Sequence, residues 1–191
     1  MTQLSDLILA SASPRRLDLL SQIGIEPADV VPADIDEAAA RGELPRDHAR
    51  RLADEKADTV AGRHPGRAVL AADTVVAVGR RILPKAETEK EASACLKLLS
   101  GRRHVVYGGI VLIGADGVRR NRIVETAVIF KRLHPDEVAA YLESGEWHGK
   151  AGGYAIQGRA AAFIRRINGS YSNVVGLDLF ATAQLLGASR S

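Results

Sequence analysis

The chain has 191 residues, 46% of them apolar and 26% charged, the balance of an ordinary globular protein with one domain or two lobes sharing a core. The formal net charge of +3 comes from lysines and arginines interleaved with acids, which argues against a nucleic-acid partner, and no apolar stretch reaches the roughly 18 residues that a membrane span needs. A lone cysteine, Cys95, excludes an internal disulfide and fits a reducing cytoplasm. There is no CxxC or HxxxH spacing for structural zinc, and MTQLSDLILASASPRR lacks the basic segment of a signal peptide.

In chain order, Leu7-Ile8-Leu9-Ala10 reads as a short buried strand. Ser13-Pro14 has the form of an N-cap followed by proline at the first helical position. Leu17, Leu20 and Ile23 are expected to form the apolar face of that helix, and Gly24 to end it. Val30-Val31 reads as a strand before the acidic loop Asp34-Ile35-Asp36-Glu37. Residues 45–62 repeat helically, with Ala49, Leu52, Ala53, Ala57 and Val60 on one face. Residues 68–78, AVLAADTVVAV, form a continuous apolar run broken only by Asp73-Thr74, the pattern of a central strand, and Gly79-Arg80-Arg81 turns it over. Thr88-Glu89-Lys90-Glu91 is a capping box opening a helix with Ala92, Cys95, Leu96 and Leu99 inward, stopped by Ser100-Gly101. Two long strands follow, at about 104–114 and 118–131, joined by Ala115-Asp116-Gly117. His134-Pro135-Asp136-Glu137 starts a helix with Val138, Tyr141 and Leu142 inward. After the glycine-rich stretch 149–158 come a strand at 161–167, a turn at Asn168-Gly169 and a last helix at 178–186. There is no internal repeat, and the mixture predicts an α/β fold over a single domain, 1–191.

Several residues stand out against this pattern. Between a strand and a helix, Ser11, Ser13, Arg15 and Arg16 combine hydroxyls and cations with the unpaired N–H groups of a helix start, a site for a polyanion such as a phosphate chain. The plain alternative is a capping serine and two solvated arginines. Asp73, amid apolar neighbours, would be costly to bury unpaired. It either forms a buried ion pair or faces a cleft, where it could hold a divalent metal or act as a general base. Lys56 falls on the apolar face of its helix, where lysines usually snorkel outward. Lys85 follows Pro84 in a predicted turn. Glu37, Asp34 and Asp36 make an acidic cluster of the kind that is usually solvated, although carboxylates with phosphates suit magnesium or manganese. In GGYAIQGRAAAFIRRINGSYSNVVGLDL, residues 152–179, glycines would let the backbone approach a ligand, and Gln157 offers the donor and acceptor that reading a base edge requires. The five histidines form no site and read as surface or capping residues; Cys95 and Trp147 read as packing residues.

Together these stretches resemble the Maf family of nucleoside triphosphate pyrophosphatases. The matching pieces, in family order over nearly the whole chain, are LASASPRRLDLL, Asp36-Glu37, LADEKA at 52–57, AADTVV at 71–76, Lys85 before the helix, LSGRRH at 99–104, and GYAIQG with INGSYSNVVGL at 153–177. The resemblance implies an ITPase-like mixed sheet with flanking helices and two lobes around a deep cleft, commonly as a homodimer. It implies hydrolysis between the α and β phosphates with a divalent metal. Asp73 would be the proton acceptor, and Arg15, Arg16, Lys56 and Lys85 would neutralise the triphosphate and the departing pyrophosphate. Glu37 would help hold the metal, with Asp73 as its neighbouring ligand, and Ser13 would bind phosphate oxygens. The family branch that prefers dTTP and UTP is marked at positions matching Arg15, Thr74 and Gln157, and this chain carries that set; the 7-methyl-GTP branch has an acidic residue in place of Gln157. Two departures are Ala86, where the family usually has proline after the lysine, and Ala160, near which it usually has a glycine. The rivals are a purine or 7-methyl-GTP pyrophosphatase and, because the family is named for an effect on septum formation, a non-catalytic nucleotide-binding regulator of cell division.

Overall fold

The structure is a computed structural model that describes residues 6–188. The chain begins with β1 (Ile8–Ala10), α1 (Pro14–Gln22), β2 (Asp29–Val30) and α2 (Pro45–Arg63). The central strand β3 (Val69–Val78) leads into two short strands, β4 (Arg81–Leu83) and β5 (Lys85–Ala86), and then α3 (Glu89–Leu99). The long pair β6 (Arg103–Ile113) and β7 (Arg119–Phe130) follows, then α4 (Pro135–Glu143) and β8 (Lys150–Ala151). A 3-10 turn at Arg159–Phe163 precedes β9 (Ile164–Asn168), α5 (Tyr171–Val175) and α6 (Leu179–Ala188).

The main sheet has 7 strands in the order β2-β1-β3-β6-β7-β9, with β4 folded back on the end of β3. β1 pairs in parallel with β2 and β3, and the remaining neighbours are antiparallel. The mixed α/β sheet expected from the sequence is therefore present. Alternation along the strands sorts the first half of the sheet onto two faces. On one face Leu9, Leu70 and Leu112 pack with Leu19 and Leu20 of α1 and Leu185 of α6. On the other, Ile8, Val69, Ala71 and Val111 meet Ala53, Ala57 and Val60 of α2. The far half of the sheet has its own core: Val76, Val106, Val128 and Phe130 with Cys95, Leu96 and Leu99 of α3 and Tyr141 of α4. Asp73-Thr74 falls in β3 where the first two cores give way to the third, so the polar interruption in the apolar run marks the seam between two lobes.

Opposite that seam lie two glycines. Asp73 pairs with Gly109 and Thr74 with Gly108 across β3 and β6. A Cβ on Gly109 would run into the Ala49 carbonyl of α2. The bare strand lets α2 approach the sheet closely and carries Lys56 up to β3.

The structure also corrects the element reading. On α1 the buried side chains are Arg16, Leu19 and Leu20, whereas Leu17 and Ile23 are each 38% exposed. The helix is rotated so that a charged residue, not Leu17, faces inward. The strand expected at 161–167 begins at Ile164, because Arg159–Phe163 coils into the 3-10 turn. Lys85 lies in a strand rather than a turn: β5 pairs with β8, Lys85 opposite Ala151 and Ala86 opposite Lys150. This pairing restrains the segment without a proline at 86, and Ala86 is fully buried. Ala160 is buried in the 3-10 turn, and among the described residues no non-glycine has positive φ, so the missing glycine leaves no strain there. His48 and His104, expected at the surface, are buried, while His134 does cap α4. Cys95 packs inside as expected, and Trp147 is partly buried with Nε1 donating to Leu142 O at 2.8 Å.

Candidate active site

A cleft of about 370 Å³ opens where the lobes meet. Its wall includes Ser13, Arg15, Arg16, Glu37, Lys56, Asp73, Thr74, Lys85 and Gln157, all singled out from the sequence. They come from distant parts of the chain. β1 and α1 supply the first three, the 31–44 loop Glu37, α2 Lys56, β3 the Asp73-Thr74 pair, β5 Lys85, and the glycine-rich segment Gln157.

At the centre is a string of alternating charges. Lys56 is 6% exposed and does not snorkel; its Nζ lies 2.6 Å from Asp73 Oδ1 and 2.6 Å from Glu37 Oε1. The other Glu37 oxygen takes the Lys85 ammonium. Burial alone would raise the Glu37 carboxyl, but hydrogen bonds from Lys56 and Lys85 outweigh it and bring the pKa down to about 2. Asp73 is 4% exposed, and among the described residues its Oδ2 has no hydrogen-bond donor, so one face of the carboxylate is open to the cleft. Of the three acids in the loop only Glu37 enters the cleft; Asp34 and Asp36 are exposed, and Asp36 Oδ1 accepts from Ala38 N at 2.9 Å.

The second cluster is SASPRR. Ser13 is the N-cap of α1 by position, yet its hydroxyl makes no capping bond. Ser11 instead braces the turn ahead of the helix, its Oγ accepting from Ser13 N at 3.1 Å and from Arg16 NH1 at 2.8 Å. Arg16 is 8% exposed. Its Nε donates to Gly176 O at 2.9 Å and its NH2 to Thr74 Oγ1 at 3.2 Å. Arg15 Nε donates to Val175 O at 3.3 Å. Burial lowers both guanidinium pKa values, and the nearby Asp73 charge partly offsets this for Arg16. Arginine remains protonated in such settings. The helix start, the Ser13 hydroxyl (unpaired among the described residues) and two oriented guanidiniums thus line one space. Gln157 also lines the cleft and is exposed, with its amide unpaired among the described residues.

Sequence reasoning missed two groups. Lys150, on β8, lines the cleft, and burial followed by the Arg15 charge lowers its pKa. His148 lines it too, exposed at the rim, 3.4 Å from Glu87. The available signal was their position: a lysine and a histidine flanking Gly149 at the mouth of the glycine-rich segment. Among the described residues no group of three or more His, Cys, Asp or Glu side chains is gathered as a metal site. Glu37 and Asp73 do, however, share one ammonium, each with an oxygen 2.6 Å from Lys56 Nζ, so two carboxylates face the same point of the cleft. Hard carboxylate oxygens suit magnesium or manganese, which commonly takes one or two protein carboxylates and completes its shell with phosphate and water. No helix among the described residues is long and apolar enough to cross a membrane.

A family profile described as Maf-like protein matches residues 6–189. A dTTP/UTP pyrophosphatase of Paramagnetospirillum magneticum is 68% identical over 180 residues, covering 94% of this chain and 95% of that protein. Another dTTP/UTP pyrophosphatase, from Caulobacter vibrioides, is 62% identical over 180 residues, with 94% and 93% covered. Among solved structures, a nucleoside-triphosphatase / dITP/XTP pyrophosphatase from Mycobacterium abscessus is 17% identical with a TM-score of 0.44, over 96% of this chain and 95% of that one.

Proposed function

This chain belongs to the Maf-like protein family, and from that premise and the cleft we propose that it is a hydrolase cleaving dTTP and UTP to the nucleoside monophosphate and pyrophosphate. The observation that carries the reading is the pairing of one open carboxylate, Asp73, with cations on both sides of it in a single cleft. The names of the relatives, dTTP/UTP pyrophosphatase at 68% and 62% identity, support the substrate.

In this mechanism Arg15, Arg16 and Lys150, with the Ser13 hydroxyl and the N–H groups at the start of α1, bind the phosphate oxygens and hold the α-phosphorus near Asp73. Asp73 Oδ2 takes a proton from a water molecule as the water oxygen attacks the α-phosphorus. The bond from that phosphorus to the bridging oxygen breaks, and the electron pair leaves with pyrophosphate. Lys56 and Lys85 face the developing charge, the electrostatic part of phosphoryl transfer. Glu37 and Asp73 would hold a divalent cation, magnesium or manganese, which when bound neutralises phosphate charge and polarises the phosphoryl oxygens. Lys56 and Lys85, whose ammonium groups hold Glu37, would then be available to phosphate oxygens. Gln157, Thr74 and Arg15 read the pyrimidine: the Gln157 amide presents both a donor and an acceptor, where a carboxylate would only accept. We further read the chain as one domain, 1–191, working in the cytoplasm as a homodimer, with no nucleic-acid or membrane partner.

The test is pyrophosphate release from dTTP, UTP, CTP, GTP and 7-methyl-GTP, with and without magnesium or manganese. Metal-dependent release, fastest from dTTP and UTP, is the expected result. Faster turnover of 7-methyl-GTP overturns the substrate, and no release from any of them overturns the enzyme and favours a nucleotide-binding regulator.

A further inference from the structure

INGSYSNVVGL carries a buried polar side chain that this chemistry does not use. Asn173 is 0% exposed, and from the short helix α5 its amide reaches into the main sheet. Nδ2 donates to Val106 O of β6 at 3.2 Å and to Thr126 Oγ1 of β7 at 3.1 Å, with Val124 O at 3.4 Å. Carbonyl oxygens only accept, so the NH2 end has to face the strands. Oδ1 is left without a partner among the described residues. The Thr126 hydroxyl also donates to Ser170 O at 3.3 Å and accepts from Ser170 N at 3.1 Å, fastening the residue just ahead of the helix. The sheet is shaped to admit the amide: a Cβ at Gly108 would collide with Asn173 Oδ1.

The other end of α5 gives this anchor its significance. A helix of 5 residues has little stability of its own, so its position depends on what it is tied to. It ends at Gly176, whose φ of +147° favours glycine and swings the last carbonyls toward the cleft. Those carbonyls are the acceptors that aim the two arginines: Val175 O for Arg15 at 3.3 Å and Gly176 O for Arg16 at 2.9 Å. The Thr74 hydroxyl donates to Gly176 O as well, at 3.3 Å. A displacement of α5 would move the acceptors of both guanidiniums together, and each long side chain would then recover rotamer freedom that binding must remove again.

We infer that Asn173 is a positioning residue: it clamps α5 to β6 and β7 and thereby aims Arg15 and Arg16 at the ligand, an inference that rests on reading the cleft as a triphosphate site. The experiment measures calorimetric affinity for inorganic tripolyphosphate, and KM and kcat for dTTP, in wild type, Asn173→Ala, Arg15→Ala and the double variant. Asn173→Ala is expected to weaken tripolyphosphate binding and raise KM about tenfold, with a smaller change in kcat, and to add clearly less once Arg15 is already gone. A folded Asn173→Ala protein with wild-type affinity and KM overturns the clamp, as does a full additive effect in the Arg15→Ala background. Should Asn173→Ala fail to fold, Thr126→Val keeps the side-chain shape and removes the hydroxyl tie; it is expected to shift affinity and KM about threefold in the same direction, and no shift there overturns the clamp equally. Wild-type protein that binds tripolyphosphate yet releases no pyrophosphate sinks the hydrolase and leaves the clamp to be judged by affinity alone. Wild-type protein that does not bind it sinks both.

Discussion

At the scale of single residues, two buried ionisable groups behave in opposite ways, and each leads to a prediction. Asp73 keeps one oxygen on Lys56 and leaves the other open to the cleft. Asp73→Asn preserves the shape and removes the proton acceptor. Its kcat for dTTP is expected to fall by at least about 100-fold, with a smaller change in KM; steady-state kinetics showing near wild-type turnover would remove Asp73 from the chemistry. His104 is buried, its Nε2 2.8 Å from Tyr154 Oη and its ring edge-on to Phe130. Burial, and after it the Arg103 charge, lowers its pKa from 6.5 to about 4. The folded state therefore prefers the neutral ring. The stability this confers is fully present above pH 6.5 and is lost as the pH falls toward 4. Thermal melts are expected to show Tm falling across that window, and His104→Gln to flatten that segment. Glu37 acts in the same direction in a lower window: its carboxyl is lowered from 4.5 to about 2, so its contribution is present above pH 4.5 and is lost as the pH falls toward 2. The two effects separate along the pH axis.

At the scale of elements, local signals succeeded where one short stretch of chain decides the outcome. The Thr88–Glu91 box forms as read, with the Thr88 side chain accepting from Glu91 N and the Glu91 side chain accepting from Thr88 N. The face of α2 is buried as its period requires. The rotation of α1 escaped, because apolar period alone favours Leu17 and Ile23, whereas burial of Arg16 becomes favourable only once Ser11, Thr74 and Gly176 supply acceptors. β5 and β8 escaped because strands of 2 residues have no periodicity to read. Their pairing depends on a backbone that Gly152 and Gly153 turn, with φ of +70° and +68°. Gly153→Ala would place a methyl 3.1 Å from Ala92 Cα in a left-handed conformation. It is expected to destabilise the protein by about 1–3 kcal/mol and to raise KM, because the same turn carries Lys150 and Gln157. Thr88→Ala, away from the cleft, is expected to cost about 1 kcal/mol and leave KM unchanged. Chemical denaturation and kinetics on the two variants distinguish them.

At the scale of the whole molecule, β3 and β6 run through both lobes and pair over most of their length, from Val69–Ile113 to Ala77–Val105. The cleft therefore sits on a rigid spine, with the 31–44 loop across it held at Glu37 by Lys56 and Lys85. Hydrogen exchange is expected to be slowest in β3 and β6 and fast at 34–40, and tripolyphosphate with magnesium to slow the latter. Fast exchange in the centre of β3 would contradict a spine shared by the lobes.

The sheet-and-helix alternation, the buried faces of α2 and α3, and the identity of the charged residues that do not belong in a core are legible in the residues alone. These follow from local periodicity, capping chemistry and the cost of burying a charge. That those residues, separated by as many as 144 positions between Ser13 and Gln157, line one cleft is visible in the folded chain and nowhere earlier. The fold alone shows that Lys56 bridges two carboxylates, that Ser11 rather than Ser13 braces the turn ahead of the helix, and that Lys150 joins the cations. The reason is physical: an ion pair or a shared acceptor is a relation between side chains, and only the packing of α2, β3 and α5 around the seam brings both partners within reach.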